Sequence, residues 1–459
     1  MRIIEPEHAR PSVPEHPLVA LRASTGLSQS AYAQLVSRTH AQLGYGSMAA
    51  RREKVSRWES GRITPEFSAQ LAIAHIHRIE RDEVLRLGWP RWLVAVNGDH
   101  DLLEQPWSQH GAITAARLTA RMEAPSAGLI ATGPHLTRQI RGIITTLVGH
   151  PGPPERSGPR IAPEALDWAE SRIHALEALE GGSPITPDAL HLSARTEHQL
   201  IAAFLTRHGY DRTTGARLLT LAARTATLCS WTSAALGEEP RAERYALAAV
   251  RAAAAAGAPR LTAACLALLA SGHMRCGRAQ DVLSLLQAVR AVVPRPTPRL
   301  AVILHSTQAI ALGARAEPTV ALASLRRAEL SLGASAEWDA EADPYAGNID
   351  EEFLTLASGY AWLRLGRPDR ALPCFSSFLD DGPSSDRPPT PYDAIQLCAV
   401  AEIQVSSGQI EEAAATLRRA IVRTGGLPAG LATQFRRHLA AHADTATVRE
   451  SLDYLAEGP

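Results

Sequence analysis

Aromatic residues are scarce in this chain, 5% of 459 residues, and lysine is almost absent: Lys54 is the only one, every other basic residue being arginine. The shortage of bulky rings, beside an abundance of alanine, disfavours a strand-rich sandwich and favours helices packed through small residues. Net charge is lacking as well. The 47 basic side chains are balanced by 47 acidic ones, so the chain as a whole is no polybasic wrapper for nucleic acid, and any such contact must come from a local basic face. Residues 1–92 lean that way, with 13 basic and 9 acidic side chains, a net of +4. The preference for arginine runs through the whole chain and so singles out no site. The five cysteines, Cys229, Cys265, Cys276, Cys374 and Cys398, are an odd set with no C-x-x-C pair. They offer neither a disulfide framework nor a zinc site, and read as small core hydrophobes in a reducing compartment. No run reaches the ~18 apolar residues of a membrane helix. The opening MRIIEPEHARPSVPEHP lacks the apolar stretch of a signal peptide, so a cytoplasmic location is expected.

What is present is too long for one compact core, so two or more domains are expected. Residues 1–16 are Pro-rich and polar and read as a flexible tail. Residues 17–93 alternate short helical patterns with glycine stops. Residues 94–162 read as an irregular connecting segment. It contains GAITAARLTA (111–120), a strand or a poor helix, and PGPPERSGPR (151–160), a flexible linker. From residue 163 to 455 nearly everything is amphipathic helix, giving an all-α fold class.

Four segments near the N-terminus carry a function. PLVALRAST (17–25) is a short helix ended by Gly26, and SQSAYAQLVSRTHAQ (28–42) opens on Ser28, a side chain suited to capping. SMAARREKVSRWES (47–60) opens on Ser47 and closes on Gly61, and ITPEFSAQLAIAHIHRI (63–79) places Pro65 in its first turn. In the third segment Met48, Val55 and Trp58 share one face and Ala50, Lys54 and Arg57 the other, with Arg51 and Arg52 at the edges. Residues 47–62, which include Arg62, hold five basic and two acidic side chains, a net of +3. A helix with an apolar back and a basic front can lie in the major groove of double-stranded DNA, each bidentate base contact contributing ~1–3 kcal/mol of discrimination.

LSQSAYAQL (27–35) and KVSRWESGRITP (54–65) resemble the Cro/repressor-type (XRE) helix-turn-helix family. The resemblance implies that Gln29 contacts a phosphate, that Glu59 is structural, and that Arg51, Arg52, Lys54, Ser56 and Arg57 read bases. One stretch departs from the family: SRTHAQLGYGSMAARRE is longer than the usual tight turn, which leaves the register of the base-reading residues open by a few positions. The expected operator contacts are therefore Ser28, Gln29, Ser47, Arg51, Arg52, Lys54, Ser56, Arg57 and Arg62.

The C-terminal part repeats itself. Gly-containing turns recur near Gly237, Gly277, Gly313, Gly366 and Gly408, at spacings of 40, 36, 53 and 42 residues. Each is followed by an apolar helix face at i, i+3, i+4, i+7 spacing, such as Val282, Leu285, Leu286, Val289 and Val293, or Ala371, Leu372, Phe375, Phe378 and Leu379, or Ala413, Leu417, Ala420 and Ile421. LASGYAWLRLGRPDRALPCFSSFL (356–379), with Gly359, Tyr360, Leu365, Gly366 and Ala371 at the expected places, resembles a tetratricopeptide repeat; the likeness extends over roughly 210–425. The acidic run EWDAEADPYAGNIDEE (337–352) reads as a solvated loop, or as an acidic lip selecting a cationic ligand or a basic partner. The pairing of the two parts resembles actinobacterial regulators of secondary metabolism and development and, more distantly, peptide-sensing regulators of Gram-positive bacteria; LGWPRWL (87–93) is similar to the segment that closes the N-terminal domain in the former.

Catalytic patterns are absent. GYGSMA (44–49) fits the glycine fingerprint for dinucleotides but follows a helix instead of a strand. The 17 histidines, among them His191 and His198 on one helix face, form no group with metal-ligand spacing and read as solvated or core residues. The expectation is a non-enzymatic DNA-binding regulator without cofactor or metal, a homodimer on its operator. Its helices from 163 onward would dimerise or sense a small molecule or peptide, with no ligand-binding residue identifiable. The alternative is a helical protein–protein adaptor with a vestigial DNA-binding domain.

Overall fold

The computed structural model describes residues 16–457 apart from 24, 78, 80, 123–128, 150–153, 181–185, 335–344, 348, 379–392, 425 and 428. The expected tail (residues 1–15 of it), the first three residues of the expected linker, the acidic stretch 337–344 and Leu379 lie outside the described residues. Among those described the fold is all-α, and no helix is long and apolar enough to cross a membrane. Packing divides the chain into one unit ending at Glu104 and another beginning at Gln105.

The first unit holds α1 (Pro17–Ala23), α2 (Gln29–Gln42), α3 (Arg52–Glu59), α4 (Phe67–Ile76), α5 (Arg81–Leu87) and α6 (Arg91–Glu104). Helix α2 starts where Ser28 accepts from the Ala31 amide, and it buries Tyr32, Ala33, Val36, Thr39 and His40, one helical face. Those residues meet Leu18 and Leu21 of α1, Val55 and Trp58 of α3, Ile73 of α4, and Trp92 and Leu93 of α6 in one core. The domain end expected at residue 93 moves to 104, because α6 continues through that position and packs on α1.

The second unit begins with α7 (Gln109–Ala120) and α8 (Gly133–Gly149), followed by α9 (Pro163–Glu180) and α10 (Pro187–Arg207). The segment expected to be irregular, 94–162, is therefore largely helical. GAITAARLTA lies within α7, whose alanines 112, 115 and 116 are buried where α7 packs on α10. Charges distant in sequence hold this region down. The Glu243 carboxylate accepts from the amides of Ile130 (2.6 Å) and Ala131 (3.0 Å), and Asp281 from that of Gly133 (3.0 Å). The buried Arg251 guanidinium donates to the Gln105 carbonyl (2.8 Å) and Gln139 Oε1 (2.7 Å) and lies over the Trp107 ring. The expected linker is also docked at its described end: Arg156 and Tyr210 exchange two backbone hydrogen bonds of 2.9 Å, and Pro159 accepts from Gly209.

From there the chain runs through α11 (Arg212–Ala235), α12 (Glu239–Ala255), α13 (Pro259–Arg275), α14 (Ala279–Val292), α15 (Pro298–Ala314), α16 (Pro318–Gly333), α17 (Glu351–Arg364) and the single turn α18 (Pro368–Ala371). It ends in α19 (Asp393–Ser406), α20 (Ile410–Thr424), α21 (Ala429–Leu439) and α22 (Ala446–Glu457). Consecutive helices from α10 to α16 pack on one another, and α11, α13, α15 and α17 also pack each on the next of that odd-numbered set. Left-handed backbone at Gly237, Gly277, Gly366 and Gly408 closes the turns, a conformation that glycine adopts without strain. Gly313 departs from this expectation. It lies inside α15, and Ala316 (φ 58°) takes the left-handed position, 39 residues after Gly277 (316 − 277). The helix expected to run through 371–379 stops after one turn and continues as a 3-10 segment, Leu372–Phe378, because Pro373 has no amide to donate and its ring crowds the preceding turn. Gly359 is a close-approach position: a Cβ there would lie 2.6 Å from Phe375 Cε2. Of the acidic run, Asp350 caps α17 by accepting from the Phe353 amide, and Glu351 and Glu352 occupy its first turn, where negative charge favours the helix dipole. Cys229, Cys265 and Cys398 are buried free thiols as expected, whereas Cys276 is exposed.

His191 and His198 are core residues. His191 Nδ1 meets Thr232 Oγ1 at 2.8 Å; His198 meets Thr225 Oγ1 at 3.0 Å and Thr119 Oγ1 at 2.8 Å. Burial pushes each imidazole down to about 4, in His191 with help from Arg241 and Arg195. The unfolded chain then binds more protons than the folded one between pH 6.5 and 4, so this stability is complete above 6.5 and is lost as pH falls through 4. A shift of that size is worth up to about 3 kcal/mol per histidine. We expect denaturant unfolding of wild type to weaken more steeply from pH 6.5 to 4 than that of His198→Gln; parallel curves would contradict the assignment.

Candidate nucleic-acid interface

The basic segment is built on a buried carboxylate. Glu59, at the end of α3, is 7% exposed. It accepts from Arg22 Nε of α1 at 2.6 Å and from Gln29 Nε2 of α2 at 2.5 Å. Arg22 also donates to the Leu27 carbonyl (2.8 Å), and Gln29 Oε1 accepts from Arg52 Nε (3.2 Å). One acid thereby ties α1, α2 and α3 together, with Val55 and Trp58 buried beside it. Burial, and then the Glu59 charge, push the Tyr32 phenol up, so its hydroxyl stays protonated against His77 Nε2 at 2.8 Å.

The long connection between α2 and α3 is held as firmly. Ser37 donates to the Met48 carbonyl (2.6 Å), and the buried His40 ring bridges the Gly46 carbonyl (3.0 Å) and Ser68 Oγ (3.0 Å). Gly44 (φ 82°) and Gly46 (φ 85°) supply the left-handed turns that bring these carbonyls within reach. Met48 tucks against the core, while 44–47 and 49–51 are exposed.

This anchoring corrects the expected helix. Ser47 does not cap it; residues 46–51 carry no helix, Arg51 has extended backbone (φ −105°, ψ 131°) at the N-cap, and α3 begins at Arg52. Helix α4 likewise begins at Phe67 instead of 63, and Pro65 lies before its first turn with its carbonyl held by Gln70 Nε2 at 2.8 Å. Of the nine expected contact residues, Ser28 is exposed at the α2 cap, and Ser47 and Arg51 are exposed on the connection. Arg52, Ser56 and Arg57 are exposed on α3, Lys54 is half-buried there, and Arg62 is exposed just beyond. Gln29 differs: it is half-buried, and its amide is held by Glu59 and Arg52. Two groups escaped notice in the sequence. Arg38 is a further exposed cation on α2, and Arg22 is the partner that Glu59 requires.

Arg51, Lys54, Arg57 and Arg62 form no ion pair among the described residues, and the one exposed acid within 44–63 is Glu53. The eight residues of α3 span about 12 Å, the width of a major groove. The segment thus offers unpaired guanidinium groups, an ammonium and hydroxyl donors on one rigid support, a donor set suited to phosphate oxygens and guanine edges.

Replacing Glu59 by Gln would strip Arg22 of its counter-charge and cost about 2–3 kcal/mol, since hydrogen bonds to charged groups are the stronger class. We expect amide hydrogen exchange over 29–59 to accelerate about 30- to 150-fold. Unchanged protection there would show that Glu59 does not hold the three helices.

No protein-family model matches this chain, and no curated protein matches it either.

Proposed function

We propose that the chain is a sequence-specific DNA-binding transcriptional regulator of the Cro/repressor helix-turn-helix type, with α2 and α3 as its two reading helices. The observation that carries the reading is the division of charge on 51–62: the acid Glu59 is neutralised inside by Arg22, while Arg51, Lys54, Arg57 and Arg62 remain uncompensated outside. The shifted start of α3 changes the roles within that face. Arg52, Ser56 and Arg57 are the base-reading set on the helix, and Ser47, Arg51 and Arg62 are phosphate contacts on the chain flanking it.

The helices from α10 onward serve as the sensing and dimerisation part, a tetratricopeptide-like solenoid. The recurrent packing of α11, α13, α15 and α17 on one another supports that reading. A ligand there acts by binding two arrangements of the dimer with different affinity, since equal affinity shifts nothing.

The test uses the full chain and a duplex selected on it from a random library. Arg52→Glu with Arg57→Glu, both at exposed positions, should weaken duplex binding at least a hundredfold in fluorescence anisotropy and leave helix content unchanged. Retained affinity would refute the DNA-binding assignment. Light scattering of the complex should give two chains per duplex, reading half-sites ~34 Å apart; one chain per duplex would refute the dimer.

A further inference from the structure

A cavity of about 500 Å³ lies within the second unit, lined by α11, α13, α15, α17, α19 and the segment at 345–349. Its walls come from the odd-numbered helices, so it follows one face of the helical array. Rings are rare in this chain, yet Trp231, Tyr345, Phe353 and Tyr360 all line this space. Trp231 and Tyr345 meet edge to face at 5.1 Å. Alanines at 234, 264, 267, 346 and 357 keep the space open.

The charged groups in the lining are all of one sign. Three arginines and no acid contribute. Arg275 is countered by Glu239 and Arg364 by Glu402, but Arg260 is exposed and forms no ion pair among the described residues. Ser306, also in the lining, is buried, and its hydroxyl has no hydrogen-bond partner among the described residues.

We propose that this cavity binds a small organic anion: a drug-sized apolar body, flat enough to lie among four rings, carrying a single acidic group that pairs with Arg260. The volume falls within the range of small-molecule sites, and an apolar lining with a few placed polar groups is their usual make-up. The rings and the uncompensated Arg260 favour a flat anion, and a peptide is the alternative that the displacement measurement below distinguishes. The proposal rests on the reading of the helical part as a sensor and narrows it to one ligand class and one site.

Two fluorescent dyes of nearly equal shape test it on the full chain: 8-anilinonaphthalene-1-sulfonate, an anion, and N-phenyl-1-naphthylamine, its neutral counterpart. We expect one site per chain, at least tenfold tighter for the anion. Arg260→Gln should remove that preference and leave the neutral dye unaffected. Ala264→Trp, at a half-buried lining position, should abolish both, with thermal unfolding as the control for folding; Ser271→Phe is the second filling variant if the first unfolds. Equal affinity for the two dyes, binding that survives both filling variants, or no binding would overturn the proposal. Displacement of the anionic dye by a random hexapeptide pool but not by 1-naphthoate would overturn it in favour of a peptide. These arms contain no DNA, so their failure leaves the duplex result standing, and a chain that binds the dyes as stated but no duplex sinks the regulator reading alone.

Discussion

A methyl group buried between two helices contributes about 0.8 kcal/mol, against roughly 1.5–3 for a leucine or phenylalanine side chain. That difference governs a chain in which alanine does much of the packing. Helix α12 is buried from Ala242 to Ala255, and eight of those positions are alanine, each contributing little by itself. Stability has to be gathered over many neighbouring helices, each laid on the last, which is the geometry seen from α10 to α16. The same small residues leave room where the odd-numbered helices face one another, and four rings, Trp231, Tyr345, Phe353 and Tyr360, line that space.

Where burial through methyl groups is weak, buried charge fixes position. Glu59 does so in the first unit, by drawing Arg22 and Gln29 to itself and leaving the other face of α3 to solvent. Glu243, Arg251 and Asp281 do so in the second, where they hold α8 and the chain leading into it. Removing either partner of such a contact strands the other, so these sites tolerate substitution poorly. Arg51, Lys54, Arg57 and Arg62 are the opposite case, forming no ion pair among the described residues.

Local chemistry made much of this readable in the sequence. Ser28 marks a helix start, Gly26 and Gly61 mark stops, and Val55 and Trp58 mark the buried face of α3. What escaped depends on groups far apart along the chain. The start of α3 moves from 47 to 52 because Ser37 and His40, one helix earlier, capture the carbonyls of Met48 and Gly46. GAITAARLTA is a helix because α10 and α12 receive its alanine face, which its own propensities do not disclose. Ala316, a residue type that rarely takes left-handed backbone, holds the turn position three residues beyond Gly313, so the glycine pattern does not mark it. The cavity joins residues from Thr227 to Gln396, a set no local pattern could assemble.

The central claim is that the face at 51–62 meets phosphates. The most direct measurement is the affinity of the full chain for its selected duplex as a function of salt. Neutralising two phosphates per chain, through Arg51 and Arg62, releases condensed counterions, so log affinity should fall against log salt with a slope of at least about −2 per chain. A slope near zero would contradict the account, whatever the affinity at any one salt concentration.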